Sequence, residues 1–147
     1  MKTYTKLALI AADQDDLQTM SALLQDAVLK IGDAAYVESN RRFAFVTNRY
    51  LWELAQKNPF GSGYRVRAGV HFDDVQAVRV KNVRLDAKDA VVKILNTAYV
   101  GSEDGGTITI TLSGGGVIAL DVEAINATLQ DLSEPWRASR KPKHEGV

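Results

Sequence analysis

Cysteine is absent from this chain. That excludes disulfides, thiolate nucleophiles and cysteine-bound metals together, and it fits a reducing compartment. Histidine is almost as scarce, with His71 and His144 alone. Neither charge sign dominates, since 18 Lys and Arg balance 18 Asp and Glu. No global field therefore draws the protein toward nucleic acid or a membrane. No apolar run approaches the ~20 residues of a membrane span. Residues 7–12 follow Lys2 and Lys6, but they are too few for a signal-peptide core, and acidic residues come next. The expected location is cytoplasmic, without a membrane partner and without a cofactor.

What is present reads as an ordinary globular protein. Of 147 residues, 46% are hydrophobic and 24% charged, which is neither a disordered nor a fibrous composition. The length suits one domain. We expect residues 1–136 to form it, with 137–147 as a basic, mobile tail carrying Arg137, Arg140, Lys141 and Lys143.

A strand over residues 7–12 is expected to lead into a helix capped by Asp13. Asp15 and Asp16 fall in its first turn, where the helix dipole favours acids. Leu17, Met20, Leu24, Ala27 and Val28 recur at steps of three and four and make one stripe. The period then shifts to two. Residues 34–37 and 43–48 read as a hairpin around Glu38-Ser39-Asn40-Arg41. Residues 51–55 suggest a helical turn before a loop holding Asn58-Pro59 and Gly61-Ser62-Gly63.

The clearest strand is 64–72. Tyr64, Val66, Ala68, Val70 and Phe72 face one way, and Arg65, Arg67, Gly69 and His71 the other. Residues 75–80 are expected to return beside it. Residues 91–100 suit a strand or a short buried helix, with β-branched content favouring strand. Residues 107–112 and 117–122 form a second hairpin around Gly114-Gly115-Gly116. Val122, Ile125, Leu129 and Leu132 then have helical spacing, and Pro135 would end that helix. The sum is an α+β protein. We expect mainly an antiparallel sheet or partly closed barrel, with one N-terminal and one C-terminal helix. In element order that is comparable to a pleckstrin-homology-like barrel.

Several stretches resemble an uncharacterised alphaproteobacterial family, a domain of unknown function (DUF2948). They are Leu23-Leu24-Gln25-Asp26-Ala27-Val28, Arg41-Arg42-Phe43-Ala44, Asn48-Arg49, Lys88-Asp89-Ala90-Val91, Gly114-Gly115-Gly116, Leu120-Asp121-Val122-Glu123, and the run through Gln130-Asp131-Leu132 to Pro135-Trp136. Their order and combination carry the resemblance. It implies a bacterial cytosolic protein and brings no activity, cofactor or catalytic residue with it.

Chemistry-bearing candidates are few. His71 and Asp73 share a strand face at i and i+2 and would supply two metal ligands, where three or four are needed. The bland alternative is a surface histidine beside the Asp73-Asp74 turn. Asp13, Asp15 and Asp16 read as cap and first-turn acids. The glycine run joins strands, and no Lys-Ser follows, so a hairpin turn explains it better than a phosphate loop. No serine sits in a nucleophile elbow. Arg65 and Arg67 share a strand face, and Arg79 from the adjacent strand and Arg41, Arg42 and Arg49 of the earlier hairpin would extend it, if the sheets meet, into a basic stripe beside Tyr50 or Tyr64 for an anion or nucleic acid. Otherwise they solvate a sheet face. Trp52 and Trp136 are core anchors or contact residues. The resulting expectation is a non-enzymatic interaction domain, self-associating or docking on another protein. Nucleic-acid or anion binding is the alternative, and metal-assisted catalysis comes after it.

Overall fold

The structure, a computed structural model, describes residues 4–55 and 63–138. Asn58-Pro59, Gly61-Ser62, His144 and the rest of the chain beyond 138 lie outside the described residues. The elements are β1 (Ala8–Ala11), α1 (Gln14–Leu24), β2 (Ala27–Val37), β3 (Arg42–Tyr50), α2 (Trp52–Ala55), β4 (Tyr64–Phe72), β5 (Val75–Lys81), β6 (Val91–Ser102), β7 (Gly105–Leu112), β8 (Val117–Val122), β9 (Ala127–Asp131) and β10 (Trp136–Arg137). Single 3-10 turns connect β2 to β3 and β7 to β8.

The strands pair antiparallel in the order β1-β9-β4-β3-β2-β6-β7-β8-β5, with β10 added to β4. The path bends where Ala27–Lys30 of β2 meet Val91–Ile94 of β6. Beyond that short pairing the two strands diverge. One wall holds β1, β9, β4, β3 and β2, and the other holds β6, β7, β8 and β5. Phe43, Phe45, Val70, Phe72 and Leu129 of the first wall share one core with Ile108, Ile110, Leu112, Ile118 and Leu120 of the second. The sheet is open rather than closed, because the terminal strands β1 and β5 do not pair with each other.

Helix α1 covers one side of this opening. Asp13 caps it by accepting from Asp16 N at 2.8 Å. Leu17, Met20 and Leu24 are buried in the common core. Ser21 ties the helix to β6, since its Oγ accepts from Thr97 N at 2.9 Å. The Thr97 amide on the free half of β6 is thereby satisfied by a helix side chain instead of a neighbouring strand.

Four expectations need correction. The C-terminal helix expected up to Leu132 does not form among the described residues. Residues 127–131 are β9, wedged between β1 and β4. Their apolar spacing suits a helix, but two flanking strands offer backbone partners along the whole segment, and Ala127, Leu129 and Asp131 alternate inward. Without that helix the pleckstrin-homology element order is lost. Ala27 and Val28 belong to β2, because α1 ends at Leu24 and Asp26 turns the chain with φ 62°. β5 pairs with β8, not with β4. The hairpins β2–β3 and β7–β8 form as expected. In the second, Gly114 and Gly115 hold φ of 81° and 88°, which glycine alone adopts without strain.

Candidate functional site

The alternation of β4 points Arg65, Arg67, Gly69 and His71 away from the core. The register then places them in rows that cross the first wall. Ile10, Thr128, His71, Ala44 and Ala35 form one row. Ala8, Gln130, Gly69 and Val46 form the next. Because Ala35, Ala44 and Gly69 are small, the middle of this outer face is a trough of about 340 Å³, whose lining also includes Asp33, Arg42 and Leu132. A Cβ on Gly69 would lie 3.5 Å from Leu132 Cδ1, an ordinary contact, so the glycine serves by its size.

One end of the trough is charged. Arg42 Nε donates to Asp73 Oδ1 at 2.7 Å, and His71 Nδ1 lies 3.1 Å from Asp73 Oδ2. The i, i+2 spacing thus brings His71 and Asp73 together, without an aligned hydrogen bond between them. Among the described residues no group of three histidine or acidic side chains gathers to hold a metal. At the other end Arg67 reaches Asn48 Oδ1 at 3.4 Å and Asp33 at 4.0 Å.

Arg65, Arg67 and Arg79 of the expected stripe are not one group. Arg79 lies on β5, far along the strand order from β4, because β5 found its partner in β8. Its guanidinium grips Asp121 at 2.6 and 3.1 Å. That pairing raises the Arg79 pKa and lowers that of Asp121. Arg65 is half-buried and donates to the carbonyls of Asn48 and Asp26, at 3.0 and 3.4 Å. It stands 5.6 Å from the centre of the Tyr50 ring. Burial lowers its pKa, while the Asp26 charge opposes that. Trp52 packs edge-on to Tyr50 and donates its indole N–H to Gln25 O at 2.8 Å. This is an anchoring role. Trp136 stays exposed on β10, opposite Arg65.

Sequence reasoning missed a buried polar network. Arg49, expected on the surface stripe, is instead fully buried on the inward face of β3. Its Nε and Nη2 donate to Asp131 at 2.8 and 2.9 Å, and its Nη1 and Nη2 donate to Glu53 at 3.2 and 2.8 Å. Tyr4 Oη and Leu7 N donate to the same Asp131 carboxylate. Burial alone would raise the Asp131 pKa, but the Arg49 and Tyr4 hydrogen bonds outweigh it and hold the group below the ordinary aspartate value. Burial also raises the Tyr4 hydroxyl, and the Asp131 bond adds to that. The available signal was parity, since Arg49 continues the inward series Phe43, Phe45, Thr47. Its partner was hidden inside the expected helix.

A second concavity lies where the walls fail to meet. Between the free half of β2 and the free edge of β5 is an apolar cleft of about 530 Å³. Its floor includes Leu29, Phe43 and Ile118 of the core.

No helix of the described residues is long and apolar enough to cross a membrane. No curated protein and no solved structure matches the chain. The family described as "Protein of unknown function (DUF2948)" matches residues 7–144, nearly the whole sequence, and the chain belongs to that family.

Proposed function

We propose that this protein is a non-enzymatic interaction domain that associates with a second copy of itself through the outer face of its first wall. One observation carries the reading: the same face holds both a hollow and the projections to fill it. Ile10 and Leu132 stand 69% and 49% exposed beside the small-residue trough. A two-fold axis would seat the projections of each copy in the trough of the other, which is the self-complementary requirement of an isologous interface. The rim carries both charge signs, Arg42 and Arg67 against Asp33 and Asp73, so two copies meet without net repulsion. An apolar centre with a polar rim is the usual anatomy of such contacts.

The same charges weigh against a nucleic-acid surface. Arg42, Arg65 and Arg79 each already bond to an oxygen of this chain. The reading takes the chain as a single cytoplasmic, bacterial domain.

Sedimentation equilibrium over a concentration series tests the proposal. Self-association is expected for the unaltered protein. Leu132→Arg is expected to give a folded monomer, checked by circular dichroism. An unaltered protein that stays monomeric at the highest soluble concentration sinks the reading. Retention of an RNA oligonucleotide at low salt, lost steeply as salt rises, would favour the arginine alternative.

A further inference from the structure

We infer that the cleft between β2 and β5 is a binding site for an amphipathic carboxylate, an unbranched hydrocarbon chain of medium length ending in one anionic group. The site is separate from the outer face and does not depend on self-association. Register shows that the cleft is a missing piece of core. Val78 and Val80 lie opposite Leu120 and Ile118 of β8, whose side chains are buried inward. Val80 therefore points to the core side, yet it is 39% exposed. The cleft separates it from β2 of the first wall.

The cleft is a pit rather than a through-running slot. At one end Tyr36 Oη donates to Val75 O at 2.7 Å, and Val75 N donates to Arg41 O at 2.9 Å. At the other, Gly32 N donates to Lys88 O at 2.8 Å and ties the loop that precedes β6 to β2. Both ends are thus bridged, which disfavours an extended peptide strand and favours a small ligand entering from the side. The volume of about 530 Å³ falls within the roughly 300–1,000 Å³ of small-molecule sites.

The lining sets the ligand class. Leu29, Ile31, Phe43, Val78, Val83 and Ile118 offer only hydrocarbon or ring surface to the interior. Lys88 is the one charged residue of the lining. Among the described residues no carboxylate forms an ion pair with it, while the neighbouring Asp86 is taken by Arg84 at 3.1 Å. A tail in the pit and a carboxylate at Lys88 would remove apolar surface from water and pair the one cation at the rim.

Isothermal titration of the full chain with decanoate and with decanol tests this. Saturable decanoate binding is expected. Lys88→Glu is expected to weaken decanoate about tenfold or more, equivalent to roughly 1.4 kcal/mol, and to leave decanol unchanged. Val80→Trp, a change at the partly exposed mouth, is expected to block both. Both variants alter exposed positions, and circular dichroism verifies their folding. Failure of the unaltered protein to bind either compound overturns the site. Equal decanoate affinity in Lys88→Glu overturns the assignment of the head group, and undiminished binding in Val80→Trp overturns the location.

Discussion

The two sides on which the walls part are treated differently. On one side α1 runs from the end of β1 across to β6 and fills the space with Leu17, Met20 and Leu24. Ser21 satisfies the Thr97 amide there, and Asp131 pins the segment before β1 through Leu7 N and Tyr4 Oη. On the other side no element of the described residues fills the space between β2 and β5, and core residues form the floor of a pit. One gap is closed by a sequence-local helix that follows its strand directly. The other would have needed a further strand. The first therefore contributes stability, and the second leaves apolar surface available for a ligand.

Breaking the sealed side is expected to cost most. Arg49→Met would leave Asp131 buried without its main partner, a loss of about 3–5 kcal/mol in urea unfolding. A loss under about 1 kcal/mol would show that the network holds nothing together. Met20→Ala, which opens a cavity under α1, is expected to cost about 2–5 kcal/mol. If it costs no more than a substitution at the pit mouth, the contrast between the two sides fails.

Acid should act on the same side. The folded pKa of Asp131 lies below its unfolded value. The stability it contributes is therefore complete above the ordinary aspartate value of about 3.9 and is lost as pH falls through the depressed folded value. Asp131→Asn is expected to flatten that acid limb in pH-dependent unfolding. Asp13→Ala, which removes the α1 cap, should cost about 1 kcal/mol. Smallest of all, Val80→Ser at the open side should stay within about 0.5 kcal/mol, because that side chain is already partly in water.

Much of the local structure was legible. β4 was readable over its full span because apolar and polar residues alternate from Val66 to Phe72. The α1 start was readable because Asp13 and the acids after it serve one helix end. The Gly114-Gly115 turn followed from backbone sterics. β9 was not legible. Val122, Ile125, Leu129 and Leu132 repeat at helical spacing by coincidence, and only pairing with β1 and β4 makes the segment a strand. The same error concealed Asp131, and with it the reason Arg49 tolerates burial.

For the candidate site, strand parity sufficed to place Arg65, Arg67 and His71 on one face and His71 beside Asp73. It could not place Arg79. A strand carries no mark of which neighbour it will pair with, and β5 crossed to β8 despite following β4 in the chain.

Composition, period and turn chemistry by themselves determined an α+β protein rich in antiparallel strands, with α1 and two hairpins in their proper places. These are properties of neighbours in the chain, written in steps of two or of three and four. Tertiary structure alone decided the strand order, the burial of Arg49 with Asp131, the trough of small residues and the unfilled pit. Each arises from segments brought together across long stretches of chain, where backbone hydrogen bonding and shared burial outweigh local preference.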